Sequence, residues 1–212
     1  MSRSMKLRVD EITDFYKRCD MKDESTNMRR YEAAEVMGIG LTAKRTSCAC
    51  AECTTPCRIK PGYLLPRDLR PLAIANRFMD DDAGCTEFAM NYLNASPGAK
   101  VMKERTVFHI PTLVPRMINP GTVEAACTFL TIEGKCAVHD VSPFGCGYFD
   151  YHQTDARYVN ALASWGLQQI WDDMKQNGLY TRIWKTLKEA GYVGEDLEAL
   201  NYRLRKAEKK LR

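Results

Sequence analysis

The stretch Cys48-Ala-Cys50-Ala-Glu-Cys53-Thr-Thr-Pro-Cys57 decides how this chain is read. It follows neither a helical nor a strand period, and Thr, Ser, Pro and Gly punctuate residues 41–63, so it reads as a loop wrapped around something. Sulfur ligands must converge closely, because Zn–S and Fe–S bonds are only about 2.3 Å long. C-x2-C and C-x3-C spacings achieve this locally, since one tight turn aims both sulfurs inward. A second set follows as Cys127-x8-Cys136-x9-Cys146, with Cys85 between the two. Closing a site across both sets would contribute to folding, because metal-binding energy in such sites is folding energy. Lys44, Arg45, Arg58 and Lys60 flank the first set. Cations there lower thiol pKa values and offset the surplus negative charge of bound thiolates.

The chain carries nine cysteines in 212 residues. A chain of this length needs no disulfides to hold a core. Its first residues, Met-Ser-Arg-Ser-Met-Lys-Leu-Arg-Val-Asp, lack an apolar signal-like run, so a reducing cytoplasmic setting is expected. There, clustered cysteines point to metal ligands or catalytic thiols rather than to a disulfide framework. Cys19, alone on an N-terminal helical segment, reads as a small buried hydrophobe. Lys plus Arg number 31 against 27 Asp plus Glu, a net charge of +4. That is too weak to indicate nucleic-acid binding. Apolar residues make up 45% of the chain, which excludes bulk disorder, and no apolar run is long enough for a membrane span.

The rest reads as a single α+β domain, mostly helical, with a small β-hairpin insert and cysteine-rich metal-binding loops. Residues 1–45 read as N-terminal helices, 46–150 as the cysteine-cluster core and 151–212 as a helical segment packed on it. Ile12, Phe15 and Tyr16 share one helix face, and Met28, Tyr31 and Ala34 a second, stopped by Gly38 and Gly40. A helix is expected after Pro66, another from Cys85 to Leu93, and a strand over Arg105–Ile110. Residues 127–139 read as a hairpin turning at Glu133-Gly134. Beyond Tyr151, Val159, Ala163, Leu167, Ile170 and Met174 are expected on one helix face. Leu179, Ile183, Leu187 and Ala190 follow on another, and Leu197, Leu200, Leu204 and Leu211 on a basic last segment. Trp165, Trp171 and Trp184 read as core.

Among the histidines, His139 stands in C-x2-H spacing after Cys136, suited to a nitrogen ligand. His152 follows Asp150-Tyr151, where a carboxylate could orient a ligating imidazole. His109, beside Phe108 in an apolar strand, reads as core. There is no Walker loop and no G-x-G-x-x-G after a strand, and the order C-x2-C-x3-C reverses that of radical-SAM enzymes.

Together these motifs resemble the YkgJ-like cysteine-cluster family of zinc- or iron-chelating domains (CxxCxxCC type). The matching pieces are Cys50-x2-Cys53-x3-Cys57 leading into Pro61-Gly-Tyr-Leu-Leu-Pro-Arg-Asp68, then Cys127-Thr-Phe-Leu, Gly134-Lys-Cys136-Ala-Val-His139 and Pro143-Phe-Gly-Cys146. They cover residues 46–150. Where the family has an adjacent cysteine pair, this chain has Pro56-Cys57, and Cys48 offers a replacement sulfur. Where the family has arginine before and after the last cysteine, this chain has Ser142 and Gly147. The resemblance implies metal or cluster binding but no particular reaction.

The expectation is therefore a cytoplasmic protein holding an iron–sulfur cluster, or more than one, as a catalytic or redox centre. Cys48, Cys50, Cys53, Cys57, Cys127, Cys136 and Cys146 are the cofactor ligands, with Cys85 and His139 as further metal ligands. Iron is favoured because the sulfurs outnumber the needs of one structural zinc. A structural zinc module for a protein partner is one alternative. The other is an iron- or zinc-dependent enzyme acting on a small molecule or protein side chain, with Asp150 or His152 as base. A protein partner or a small-molecule substrate fits either, and a membrane does not.

Overall fold

The computed structural model describes residues 42–46, 48–103, 106–120 and 124–194, with Gly38, Gly40 and Thr122. The expected N-terminal helices, Cys19 and the leucine-spaced last segment lie outside these residues.

In chain order the elements begin with a single-turn helix α1 (Ala51–Thr54), continued by a 3-10 turn at Thr55–Arg58. Pro66 opens a second 3-10 turn, Pro66–Asp68, which runs into α2 (Leu69–Ala75). Proline suits this place, since its fixed φ matches a helix start and its missing N–H costs nothing there. Next comes α3 (Asp82–Tyr92), whose start is fixed by the Asp81 carboxylate accepting the Gly84 N–H at 2.6 Å. Strands β1 (Leu93–Lys103) and β2 (Thr106–Pro115) pair antiparallel, from Leu93 opposite Pro115 to Lys103 opposite Thr106. The register shifts between Ser96 and Ala99, where Gly98 takes φ +111° and a Cβ would meet the Ile110 carbonyl oxygen at 2.6 Å. Only glycine tolerates that bulge.

A second short pair follows, β3 (Met117–Ile118) with β4 (Ala126–Cys127). Then come α4 (Phe144–Gly147), α5 (Ala156–Gln176) and α6 (Leu179–Glu189). The Asp155 carboxylate caps α5 by accepting the Arg157 and Tyr158 N–H groups. Asn177, left-handed at φ +50°, ends it.

The architecture is α+β, as the composition and periodicity suggest. Three local expectations change. The hairpin is β1–β2, whereas residues 127–139 make only one isolated bridge, Leu130 with Cys136. Gly134 does turn the chain there, at φ +76°, but the flanking runs close around sulfurs instead of laddering. His109 is exposed on β2 rather than buried. The buried face of α5 is Ala161, Leu162, Trp165, Gly166 and Ile170, rotated from the expected stripe. Gly166 decides this, because a Cβ there would stand 2.5 Å from the Phe144 ring, so only glycine lets that ring seat against the helix.

The core runs through Leu64, Leu65, Leu69, Leu72, Phe88, Leu93, Leu113, Phe144, Leu162, Ile170, Tyr180, Ile183 and Leu187, all at most 2% exposed. Two buried polar groups tie it together. Tyr180 Oη donates to the Leu64 carbonyl at 2.8 Å and accepts the Leu113 N–H at 2.6 Å, joining α6, the 61–65 segment and β2. Asp68 Oδ2 accepts the N–H groups of Leu65 and Phe144, both at 2.8 Å. That one carboxylate anchors α4 to the start of α2.

Candidate metal centre

The first cysteine set is delivered by a single turn of chain. Cys50 is extended (φ −69°, ψ 170°) at the N-cap of α1, and Cys53 lies within the turn that follows. The Thr54 N–H bonds back to the Cys50 carbonyl at 3.1 Å, which holds the turn closed. Cys48 is supplied by the extended chain just before it.

The fourth member comes from far along the sequence. Cys50 Sγ and His152 Nε2 are 3.3 Å apart. The ligating atoms of Cys48, Cys50, Cys53 and His152 all lie within 4.8 Å of one another. Among the described residues, no other group of three His, Cys, Asp or Glu side chains meets that spacing.

Asp150 braces this arrangement. Its Oδ2 accepts the Thr46 hydroxyl at 2.8 Å, and Thr46 Oγ1 accepts the Cys48 N–H at 3.1 Å. Its Oδ1 accepts the His152 backbone N–H at 2.9 Å. One carboxylate thus fixes the Cys48 loop against the His152 loop. The Tyr151 N–H points at Cys53 Sγ from 3.4 Å.

Charge follows the same geometry. The Cys48 thiol is pulled below its usual pKa, mainly by the Cys50 N–H and then by the side chains of Cys53 and Cys50. Cys53 is pushed up by burial and by its two thiol neighbours. His152 is raised, first by its bond to the Cys50 sulfur.

The remaining cysteines come from later elements. Cys57 lies in the 3-10 turn after α1, which packs against β4, where Cys127 sits 5% exposed. Cys136 closes the bridge to Leu130, and Cys146 is carried by α4. Burial pushes the Cys57 thiol up to about 11 and that of Cys127 to about 12. Burial also raises Cys136 and Cys146. These four sense one another electrostatically: Cys146 feels Cys57, Cys127 and Cys136, and Cys57 feels Cys136.

Two glycines make the position of Cys146 possible. A Cβ on Gly62 would stand 2.0 Å from the Gly145 carbonyl carbon, and one on Gly145 would stand 2.5 Å from the Tyr63 nitrogen. The two backbones cross in direct contact, with the Gly145 N–H bonded to the Tyr63 carbonyl at 2.8 Å. The Gly62 N–H consequently donates to Cys146 Sγ at 3.1 Å.

Six of these cysteines, all but Cys50 and Cys85, line a cavity of about 50 Å³ together with His139 and Asp150. Cys85 is fully buried on α3, next to Arg70 and the Asp80–Asp82 run, and does not line this cavity. No disulfide joins any of the eight described cysteines.

Several features carried no sequence signal. The brace through Thr46 and Asp150 joins residues 104 positions apart. Arg45 Nη1 donates to Ser142 O at 2.6 Å and to Ser142 Oγ at 3.1 Å, and it also abuts Gly147. A guanidinium therefore stands between the two positions at which the resemblance leads one to expect arginine. Neither protein-family models, nor curated proteins, nor solved structures give a match to this chain. The resemblance consequently rests on the quoted motifs alone.

Proposed function

We propose that this protein binds a transition metal through cysteine thiolates, with Cys48, Cys50, Cys53 and His152 as the four ligands of a single ion at the mouth of the cavity. The observation that carries this reading is the convergence of those four donor atoms within 4.8 Å. In a tetrahedral zinc site the sulfurs stand about 3.8 Å apart, which follows from bonds of roughly 2.3 Å. Three sulfurs and one imidazole nitrogen suit zinc, which takes mixed Cys and His sets. An iron–sulfur cube places each thiolate on a different iron and needs wider spacing. At this set, spacing therefore favours zinc over the cluster that the count of sulfurs suggests.

A closed set of four protein ligands leaves no position for substrate, which supports a structural role over a Lewis-acid one. Both carboxylate oxygens of Asp150 accept hydrogen bonds within the protein. That supports a bracing role for Asp150 rather than service as a base. The structural role accords with a protein partner, and a reducing compartment would keep these thiolates available.

Titration of the full-length protein with cobalt(II), followed by zinc competition, tests the reading. Thiolate-to-cobalt charge-transfer absorption is expected, with one tight zinc per chain at this set. His152→Ala is expected to weaken that zinc by roughly 100-fold and to remove the nitrogen scatterer from its X-ray absorption spectrum. His152 is exposed, so the fold should be unchanged. An unaltered zinc spectrum in the variant would overturn the assignment.

A further inference from the structure

We propose that Cys50 and Cys53 are a redox modification site, at which a hydroperoxide joins the two sulfurs as a disulfide, expels the bound metal and frees the His152 loop. For the metal this rests on the preceding reading, because two of the four ligands named there are the ones oxidised.

Cys50 and Cys53 lie on one turn of chain, closed by the Thr54 N–H bond to the Cys50 carbonyl at 3.1 Å. Residues three apart in such a turn are neighbours on one face, at a separation that disulfides span. Their sulfurs already lie within 4.8 Å of each other. Closing them to a bond of about 2.0 Å asks for side-chain rotation within that turn. Cys48 is tied instead to the preceding loop, its N–H bonded to Thr46 Oγ1 at 3.1 Å.

A reagent can reach the pair. Cys50 and Cys53 are both partly exposed, and Ala49, Ala51, Glu52 and His152 around them are exposed. A bound metal keeps its sulfurs as thiolates, the nucleophilic form. Burial keeps Cys57, Cys85, Cys127, Cys136 and Cys146 as thiols, which react poorly.

The chemistry is a two-electron oxidation. One sulfur attacks a peroxide oxygen: an S–O bond forms, the O–O bond breaks, and the other oxygen leaves with the electron pair. The second sulfur attacks the sulfenic sulfur so formed: the S–S bond forms, the S–O bond breaks, and hydroxide leaves. Each departing oxygen takes up one proton. The two cysteines are oxidised and the peroxide is reduced, hydrogen peroxide giving two waters. A dithiol reverses the bond by exchange.

The consequence follows from where the loop is held. The Tyr151 N–H points at Cys53 Sγ from 3.4 Å, and His152 Nε2 meets Cys50 Sγ at 3.3 Å. The two sulfurs oxidised are thus the two that hold this loop. Cys48 and His152 then remain, too few donors for a tetrahedral zinc. Asp150 stays bonded to Thr46, so the loop loosens beyond that anchor.

The test exposes the zinc-loaded full chain to a small excess of hydrogen peroxide, alkylates it and maps it by mass spectrometry without reduction. Cleavage after Glu52 separates the two cysteines, so their bond reads as two linked peptides in which Cys48 and Cys57 are alkylated. Zinc release is followed with a chromogenic chelator. The expected result is a Cys50–Cys53 bond, loss of one zinc per chain in step with it, and faster hydrogen exchange over residues 150–154. Dithiothreitol with fresh zinc should restore all three. Cys48→Ser should form the same bond, although the wild-type map stands without that variant. A bond to any other cysteine, or oxidation to sulfinic acid with no bond, would overturn the site. Zinc retained after the bond has formed would overturn the expulsion. Zinc bound at this set and unaffected by peroxide would sink this inference and leave the preceding reading intact. A chain that holds no zinc before peroxide would sink the preceding reading, and the bond mapped in that metal-free chain would still decide the modification site.

Discussion

At the scale of single residues, titration of the buried thiols gives the sharpest expectation. Cys57 and Cys127 titrate near 11 and 12 because burial disfavours their thiolates. Near neutral pH they hold protons, which a metal would have to displace to bind there. Each such thiolate bound releases one proton, so affinity falls by about tenfold per pH unit per thiolate on acidification. Isothermal titration of metal in buffers of different ionisation enthalpy checks that release. The metal-free protein shows the opposite dependence. A thiol raised in the fold above its unfolded value near 9.0 favours the folded state while protonated. That contribution is complete below pH ~9 and is lost as pH rises through the folded values. Thermal melts of the metal-free protein should thus decline above about pH 8.5. Replacing Asp150 by Ala frees the Cys48 loop from the His152 loop, and zinc affinity should drop by roughly 10–100-fold in competition titrations.

Between elements, two polar clamps hold the scaffold beneath the cysteines. Tyr180→Phe leaves the Leu64 carbonyl and the Leu113 N–H buried without a partner, at a cost of about 1–3 kcal/mol measurable by urea unfolding. Asp68→Ala removes the shared acceptor of two buried N–H groups and should cost at least as much. It should also loosen α4 and hence Cys146. Part of this level was legible in the sequence. Pro66 marked a helix start, the run from Cys85 proved helical as far as Tyr92, and Gly134 turned the chain. The long hairpin β1–β2 was half visible, because Pro97 and Gly98 inside β1 disguise a strand that survives through a bulge. The face of α5 was misjudged because periodicity ranks apolar side chains, whereas here a glycine admits a ring from elsewhere.

Across the whole molecule, the later cysteine segments belong to the hydrophobic core, with Cys127, Phe129, Val138 and Phe144 inside it and Cys57 and Cys136 packed against it. The α+β class and the gathering of Cys48, Cys50 and Cys53 could be read from composition, period and spacing. The partner of that set, His152, is brought up by tertiary folding from 102 residues away. The contact between the Thr55–Arg58 turn and β4 is likewise tertiary. No helix of the described residues is long and apolar enough to cross a membrane. Cys48, Cys50, Cys53 and His152 lie outside that core, so chelation at this set should release their loops without dissolving it. Hydrogen exchange after chelation should show lost protection over residues 48–54 and 150–152, and retained protection in α3, α5 and α6.

The packing of Trp165 offers one more use. Its ring lies 5.8 Å from that of Phe144, which begins the helix carrying Cys146, and Arg67 sits over its other neighbourhood at 4.6 Å. Trp184 instead faces the hairpin, donating its indole N–H to the Ser96 carbonyl. The molecule therefore carries a built-in fluorophore beside the thiolate region and a second one remote from it. Emission quenching that selects Trp165 would let occupancy be followed in real time, with no label attached.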